Sequence, residues 1–341
     1  MKRAKRKTCR HGAIVSALKN KTSFIIGSRG SQLALQQAKT IQTRLQSLSP
    51  RVEIKIEIIK TTGDRLQSAP LSIIGGQGVF TKELEEALLD ERIDIAVHSL
   101  KDLPTLLPTG LSIAAVTERE DPRDALVLPA NYSQNDSSLL PSLASLREGA
   151  IIGTSSLRRA SQLKHFNPRL VIKELRGNVD TRLGKLDRGE YDAIILAAAG
   201  LRRLNLAQRI SSYISIEEIL PAVGQGALAI ETRTDDDQTN SFVKNLNHQQ
   251  TELACTAERA FLRTLGGGCQ LPIAAHAVVS NRLQLYGLVA NHAGEILLRE
   301  SIEGEANDAQ QLGEMLAERL MKRGAIRLIQ DSQSDETLTS Q

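Results

Sequence analysis

The apolar positions in the first third of the chain follow two alternating spacings, one typical of strands and one of helices. Ser23 to Ser28 is an apolar run that predicts a buried strand, and apolar residues from Ala34 to Leu48 then recur at helical spacing. Val52 to Ile58 alternates apolar and charged residues, which predicts a strand, and Asp94 to Val97 predicts another. A helix is expected from Thr81 to Leu89. This order of elements predicts a mostly parallel α/β layer.

The same pattern begins again near residue 150. Ile25-Ile26-Gly27-Ser28 is followed by a predicted helix, and so is Ile151-Ile152-Gly153-Thr154. The repetition predicts two similar α/β lobes, over residues 22–118 and 122–222. The segment Thr117 to Arg123 is the expected crossing between them, since it joins the last strand of one lobe to the first strand of the next.

The last third of the chain has a different pattern. A predicted helix from Gln249 to Leu265 leads into three alternating runs joined by short turns, Ile273 to Val279, Leu283 to Ala290 and Glu295 to Glu303. An amphipathic helix is expected from Ala309 to Lys322. Residues 248–330 are therefore predicted to form a smaller α+β domain.

The basic character of the chain is concentrated at its start. The net charge is +4, but residues 1–21 hold eight of the 43 basic residues and no acidic one, which leaves 35 basic against 39 acidic residues beyond them. The chain has no Trp, four Tyr and five Phe, so it offers few rings on which bases could stack. We therefore expect no nucleic-acid binding. Residues 1–21 are interpreted as a disordered extension, with a weak organelle-targeting segment as the alternative.

The apolar runs and the cysteines indicate the cellular compartment in which the protein is expected. No apolar run reaches the roughly 18 residues of a membrane helix, and the first residues lack the apolar core of a secretory signal. The three cysteines, Cys9, Cys255 and Cys269, are too scattered for a disulfide framework. No CxxC or HExxH pair indicates a metal site. We expect a cytoplasmic protein without a membrane partner or a bound metal.

Each lobe contains a strand that ends in glycine and is followed by hydroxyl residues and arginine at the start of a helix. Free N–H groups at a helix start attract anions, and guanidinium groups bind carboxylates or phosphates. The candidate anion-binding residues are Arg29, Ser31, Ser156, Arg158 and Arg159. The alternative is ordinary helix capping with solvated arginines, although the repetition in both lobes favours a functional role.

Two further polar segments also follow predicted strands. Arg176, Asn178 and Arg182 come after the strand Leu170 to Glu174, at the sheet edge where α/β proteins bind ligands. A solvated helix start would explain them equally well.

His98, Lys101 and Asp102 follow the strand Asp94 to Val97. A carboxylate among cations stays ionised and can stabilise a positive charge or exchange a proton. An aspartate beside a lysine is more often a surface pair, which is the alternative interpretation of Asp102, and His98 is interpreted as a packed strand residue.

Cys269 follows three glycines, a run that can project a thiol from a loop. Such a cysteine can be a nucleophile, a covalent attachment point or inert, whereas Cys255 lies in a helical pattern and is interpreted as structural. The GxGxxA match at Gly224 leads into a strand and not into a helix, so a dinucleotide site is excluded.

Together these segments resemble the hydroxymethylbilane synthase (porphobilinogen deaminase) family from about residue 23 to 325. The resemblance rests on motifs that occur in the family's order: IGSRGSQLAL, GVFTKELEEALL, DIAVHSLKDLP, EREDPRDAL, IGTSSLRRASQL, LRGNVDTRL, AAAGLRRL, PAVGQGALAIE and GGGCQLPIAAH. It implies two lobes like those of periplasmic binding proteins and a third domain, with the chain returning to the first lobe at about residues 226–245.

The resemblance also implies an activity and a cofactor. Four porphobilinogen molecules would be joined head to tail with loss of ammonia on a covalent dipyrromethane, and water would release hydroxymethylbilane. The cofactor would be attached to Cys269 through a thioether. Asp102 matches the catalytic aspartate, which stabilises the cation formed when ammonia leaves.

Since every pyrrole carries an acetate and a propionate, the family pattern implies many carboxylate ligands. At the cofactor, Lys101, Ser156, Arg158 and Arg159 are the expected carboxylate-binding residues, whereas Asp102 is expected to contact the pyrrole N–H groups. The carboxylate-binding residues expected at the substrate and the growing chain are Arg29, Ser31, Arg176, Asn178 and Arg182. A monomer is implied.

One departure from the family pattern is Gln77, where a lysine is frequent, which puts carboxylate contacts from that loop in doubt. The alternative function is a two-lobed anion-binding protein without enzymatic activity, and a weaker alternative is an RNA-binding protein that uses the basic extension.

Overall fold

The computed structural model describes residues 21–62, 81–132, 141–267 and 271–330. Within them, the first lobe is built on a five-stranded sheet. Its strands are β1 (Ser23–Ser28), β2 (Glu53–Ile58), β3 (Ile95–Ser99), β4 (Leu111–Val116) and β10 (Leu228–Arg233), in the order β2-β1-β3-β10-β4. The late strand β10 therefore lies inside the sheet, between β3 and β4.

Helices cover both faces of this sheet. Helix α1 (Gln32–Leu48) buries its apolar stripe against one face, and α2 (Lys82–Leu89) packs on the other. Helix α6 (Asp237–Val243), which follows β10, places Phe242 against Phe24 of β1, with the ring centroids 4.8 Å apart. The chain segment after residue 226 is thus part of the first lobe's core.

The second lobe repeats this plan. Its strands are β5 (Asp124–Val127), β6 (Ile151–Gly153), β7 (Val171–Lys173), β8 (Ala193–Ala197) and β9 (Ser212–Tyr213), in the order β7-β6-β8-β5-β9. The helices that follow its parallel strands are α3 (Leu157–Phe166), α4 (Val179–Asp187) and α5 (Ala198–Arg203). The two lobes therefore resemble each other in topology as well as in sequence pattern.

Both sheets are mostly parallel, as expected, and each contains a strand of opposite direction. In the first lobe β1 is parallel to β2 and β3, but β10 is antiparallel to β3 and β4. In the second lobe β5 is antiparallel to both β8 and β9. Local patterns did not reveal this because pairing direction depends on where the chain returns.

Two chain segments cross between the lobes. The first, residues 117–123, agrees with the predicted crossing, and the second is residues 222–227, before β10. Gly226 in the second has φ +92°, and a Cβ there would collide with the carbonyl oxygen of Glu120 in the first. The two segments thus lie side by side, and only glycine fits at their contact.

The third domain packs helices on a three-stranded antiparallel sheet. Helix α7 (Gln249–Thr264) and helix α8 (Ala309–Lys322) cover strands β11 (Ile273–Val279), β12 (Leu283–Ala290) and β13 (Leu297–Gly304). The predicted fold class, two α/β lobes with a smaller α+β domain, is confirmed. In the described ranges, no helix has the length and apolar character needed to cross a membrane.

Candidate functional site

The carboxyl ends of strands from both lobes meet around one cleft of about 320 Å³. Segments after β1 and β3 form its wall in the first lobe, and segments after β6, β7 and β8 form its wall in the second. The cleft brings together most of the site residues predicted from the sequence: Arg29, Ser31, Lys101, Asp102, Arg159, Arg176, Asn178 and Arg182.

Asp102 is an exposed carboxylate on the cleft wall. It ends a single 3₁₀ turn, Leu100–Asp102, which directly follows β3. Leu100 is buried and its amide donates to the carbonyl oxygen of Ala227 at 3.0 Å. The buried leucine therefore fixes the turn and leaves the carboxylate of Asp102 facing the cleft.

Lys101 lies beside Asp102 in an environment poor in water. Its burial lowers the pKa of the ammonium group to about 8, against the opposing attraction of Asp102. The positive charge of Arg159 lowers this pKa further. Lys101 is therefore a cation that can lose its proton in mildly alkaline solution.

The two arginines that begin α3 are bound to one buried carboxylate. Asp124 at the start of β5 accepts a hydrogen bond from Arg159 Nη2 at 2.7 Å, and its Oδ2 forms an ion pair with Arg158 Nη1 at 2.8 Å. Burial alone would raise the pKa of Asp124, but the two guanidinium groups hold it well below its ordinary value. Asp124 therefore stays charged and fixes both arginines.

This geometry separates residues that the sequence analysis had grouped. Arg159 reaches the cleft, whereas neither Arg158 nor Ser156 is among the described residues that line it. Arg158 donates its Nη1 to the carbonyl oxygen of Leu220 at 2.8 Å, behind the wall. Ser156 precedes α3 without a side-chain capping bond. The positions of the Arg158 and Ser156 side chains therefore do not favour direct binding of a ligand carboxylate.

The segment from Arg176 to Arg182, which spans the loop after β7 and the start of α4, carries three of the predicted residues. Gly177 has φ +111°, and this turn places Arg176 and Asn178 on the cleft wall. Arg176 Nε donates to Glu174 at 2.6 Å, and Arg182 Nε donates to the carbonyl oxygen of Gly177 at 2.7 Å. Burial, together with repulsion from Arg159 and Arg176, lowers the pKa of Arg182 to about 10.

Arg29 and Ser31 form the opposite wall, between β1 and α1. Ser31 is the N-cap of α1, and its Oγ accepts from the amide of Ala34 at 3.3 Å. Ser31 therefore caps the helix and also lines the cleft, so the two interpretations of this residue are compatible.

Several cleft residues were missed by the sequence analysis. Arg203 at the end of α5 lines the cleft, and its Nη2 donates to the carbonyl oxygen of Gly226 at 2.6 Å. Gln37 lines it too and donates to Ser99 Oγ at 2.9 Å. Arg203 belongs to the AAAGLRRL motif directly after β8, so its position after a strand was an available signal.

The other singled-out residues lie elsewhere. His98 is buried in β3, as expected, with its Nε2 2.9 Å from Glu231 Oε2. Cys255 is buried in α7, and burial raises the pKa of its thiol to about 12, which suits a structural role. Cys269 and Gln77 lie outside the described residues.

Chemically, the cleft is suited to an anion with several carboxylates. Its described wall carries cationic side chains from both lobes: Arg29, Lys101, Arg159, Arg176, Arg182 and Arg203. Guanidinium groups bind carboxylates through paired hydrogen bonds, and the exposed carboxylate of Asp102 adds a group that can face a positive charge.

Relatives of known sequence match nearly the whole chain. Porphobilinogen deaminase of Chromobacterium violaceum is 50% identical over 307 residues, covering 90% of this chain and 96% of that protein. Porphobilinogen deaminase of Syntrophotalea carbinolica is 48% identical over 305 residues, covering 89% of this chain and 94% of that protein.

Solved structures share less with the chain. The periplasmic VFT2 domain of BvgS from Bordetella pertussis has a TM-score of 0.39 at 14% identity, covering 69% of this chain and 91% of that one. The probable amino-acid ABC transporter extracellular-binding protein ytmK from Bacillus subtilis has a TM-score of 0.37 at 11% identity, covering 66% of this chain and 92% of that one.

Two family models account for most of the sequence. Residues 24–241 match the model described as porphobilinogen deaminase, dipyromethane cofactor binding domain. Residues 252–322 match the model of the porphobilinogen deaminase C-terminal domain. The chain belongs to the porphobilinogen deaminase family.

Proposed function

We propose that the cleft between the lobes is where this enzyme binds its cofactor and substrate, with Asp102 as the catalytic carboxylate. The observation that carries the proposal is the position of Asp102, an exposed carboxylate on a wall otherwise rich in arginine. The family's reaction joins four porphobilinogen molecules head to tail, with loss of ammonia at each addition, and belongs to tetrapyrrole biosynthesis.

The described residues fit the family's dipyrromethane cofactor. This group supplies the free pyrrole carbon at which chain growth starts, and its two pyrroles carry four carboxylates. Arg29, Arg159, Arg176, Arg182 and Arg203, with Lys101, offer enough cationic groups to hold these carboxylates and those of an incoming porphobilinogen.

The attachment point in this proposal is Cys269. Cys255 is unsuited, because its thiol is buried and its raised pKa keeps it protonated, whereas the thiolate is the reactive form. Mass spectrometry is expected to find a dipyrromethane adduct on the peptide that contains Cys269. An adduct on the peptide that contains Cys255, or active enzyme without any adduct, would contradict the assignment.

Asp102 acts on the charge that develops during each addition. Departure of ammonia from porphobilinogen leaves a delocalised cation, which a fixed carboxylate stabilises by Coulomb attraction. A free pyrrole ring carbon then attacks this cation to form the new C–C bond, and the attacking carbon loses its proton, which a carboxylate can accept.

The remaining cleft residues bind and orient. Arg29 and Ser31 on one wall, and Arg176, Asn178 and Arg182 on the other, hold substrate carboxylates across the cleft. Arg158 is placed to act indirectly, because it shares Asp124 with Arg159 and so helps to fix the guanidinium group that does reach the cleft.

Asp102→Asn is the direct test. The amide keeps the shape but not the charge, so turnover of porphobilinogen is expected to fall roughly 10²-fold or more, in line with other lost charge-stabilising groups. Asp90→Asn is the matched control, since Asp90 is exposed at the end of α2 and outside the cleft. Near wild-type turnover by Asp102→Asn would reduce Asp102 to a surface partner of Lys101.

We also propose that the chain works as a monomer in the cytoplasm. In its support, one chain supplies cationic residues to both walls of the cleft. Light scattering on active enzyme at assay concentration is expected to give the mass of one chain, 37.2 kDa. A stable dimer would contradict this.

A further inference from the structure

Gln225 occupies a special place in the second crossing segment. Its side chain is fully buried from solvent, and the residue forms part of the cleft wall. Its neighbours Gly224 and Gly226 have φ values of +70° and +92°, so the backbone turns sharply on both sides of it. The carbonyl oxygen of Gln225 accepts from Arg119 Nε at 2.8 Å, which fixes the backbone at this point.

The side-chain amide of Gln225 joins the two lobes. Its Nε2 donates to Asp124 Oδ1 at 2.9 Å and to the carbonyl oxygen of Pro122 at 2.7 Å. Its Oε1 accepts from Lys101 Nζ at 3.4 Å. The donor end of the amide thus faces an anion of the second lobe, and the acceptor end faces a cation of the first.

A neutral amide is the group that this position requires. Glutamine presents a donor and an acceptor on one planar group, whereas an ionised glutamate only accepts and methionine does neither to a comparable extent. A glutamate would place a second carboxylate beside Asp124. A methionine would keep the volume but leave both charged neighbours without this contact.

We propose that Gln225 is a positioning residue that couples Lys101 of the first lobe to the Asp124, Arg158 and Arg159 cluster of the second. It acts through these side chains by fixing where the Lys101 ammonium lies and by supporting its protonated form. This inference rests on the proposed function, which places Lys101 and Arg159 at the bound carboxylates.

The coupling gives a signature in the pH dependence of the reaction. Among the described residues, Asp102 and Asp124 face Lys101 and favour its protonated form, and Arg158 and Arg159 oppose it. A hydrogen bond accepted from the ammonium also favours the protonated form. Loss of that bond lowers the pKa of Lys101 further, and a carboxylate in its place raises it.

The expected shifts in the pKa of Lys101 therefore have opposite signs in two variants of Gln225. If protonated Lys101 binds a carboxylate, wild-type kcat/KM falls as the pH rises through the pKa of about 8. In Gln225→Met this alkaline limb is expected to move to lower pH by about 0.5 to 1 unit, and in Gln225→Glu it is expected to move to higher pH. A merely structural role would lower activity without shifting the limb in two directions.

The experiment measures kcat/KM against pH for both variants and for Gln42→Met. Gln42 makes the same type of side-chain bond, to the carbonyl oxygen of Ile54, outside the cleft, so this control removes a glutamine amide without touching Lys101. Opposite shifts in the two Gln225 variants, with none in the control, are the expected result. Identical profiles, or shifts in the same direction, would overturn the inference.

A second measurement does not depend on activity, so it applies if Gln225→Met is folded but too slow for a pH profile of kcat/KM. NMR titration of the lysine side-chain ammonium groups in Gln225→Met, with the Lys101 signal assigned by Lys101→Arg, is expected to show the lowered pKa directly. An unchanged Lys101 titration would overturn the inference. Full activity of Asp102→Asn would instead refute the proposed function, so the two failures can be distinguished.

Discussion

Two pairs of arginines in the second lobe follow strands of the same sheet, yet their surroundings differ. Arg158 and Arg159 are 3% and 6% exposed and share the carboxylate of Asp124, which is fully buried. Arg176 lies on the loop after β7 and Arg182 lies in helix α4, both on the cleft wall, and Arg176 pairs with Glu174, a residue whose side chain is 58% exposed. The first pair is neutralised in part by the fold, while the second retains positive charge toward the cleft.

The difference shows that an arginine after a strand can serve two physical purposes. A buried guanidinium needs a fixed anion, because an unpaired buried charge costs several kcal/mol. An arginine at a partly exposed surface can exchange a weak partner for a ligand carboxylate at little cost. Position after a strand indicates the sheet edge, and burial indicates that an arginine needs a fixed anion; Arg159 is buried and also lines the cleft, so it serves both purposes.

Removal of the shared carboxylate should have the largest effect on stability. Asp124→Ala leaves two buried guanidinium groups without their anion, and loss of one partner from a buried pair typically costs about 3–5 kcal/mol. Chemical denaturation with urea measures this change in the free energy of unfolding.

Asp121→Ala is the matched control for Asp124→Ala. Asp121 pairs with Arg123, whose side chain is 42% exposed, so its loss is expected to cost about 1 kcal/mol or less. An equal loss in the free energy of unfolding in the two variants would contradict the proposed difference between buried and exposed partners of arginine.

Substitutions of Arg176 and Arg182, the pair on the cleft wall, should affect function more than stability. Arg176→Ala removes one cationic contact to a substrate carboxylate, and a hydrogen bond to a charged group is worth about 1.5–3 kcal/mol, or roughly 10- to 100-fold in kcat/KM. Enzyme-bound intermediates are expected to accumulate, because longer chains carry more carboxylates. Native mass spectrometry detects them, and the melting temperature should stay nearly unchanged. Equal slowing of every addition would argue against a role in elongation.

The basic extension should have the smallest effect. Lys21 donates to Asp94 at 2.7 Å and to Asp236 at 3.0 Å, which ties it to the first lobe, so the deletion tested should end at residue 20. Deletion of residues 1–20 is expected to change kcat by less than about twofold, because the proposed carboxylate ligands all lie beyond residue 28. A large loss of kcat with intact folding would mean that basic residues of the extension also act in catalysis.

Much of the fold could be predicted from local patterns. The strand Ser23–Ser28, the strand Leu283–Ala290 and the helix Ala309–Lys322 have the predicted bounds, because each has a clear apolar period and distinct turn residues at its ends. The central position of β10 could not be found in this way. Its pairing depends on contacts with β3 and β4, more than a hundred residues earlier, and no local period encodes such a contact.

The sequence predicted the edge of the sheet at which the site lies, but not the direction of each side chain. The motifs indicated the correct end of each strand, where Lys101, Asp102 and Arg176 lie. Which arginine faces the cleft was not encoded in the motif, because Arg158 and Arg159 are adjacent and their directions depend on Asp124 in another strand. Gln225 was missed because its role depends on partners in both lobes.

The position of β10 also sets an order of assembly during synthesis. The strands of the second sheet all lie before residue 214, so this sheet has its full set of strands before β10 leaves the ribosome. The first sheet needs Leu228–Arg233 between β3 and β4, and Phe242 completes the stack on Phe24. Although the first lobe begins the chain, it is therefore the later of the two to close, and β3 and β4 must wait for a strand more than a hundred residues downstream.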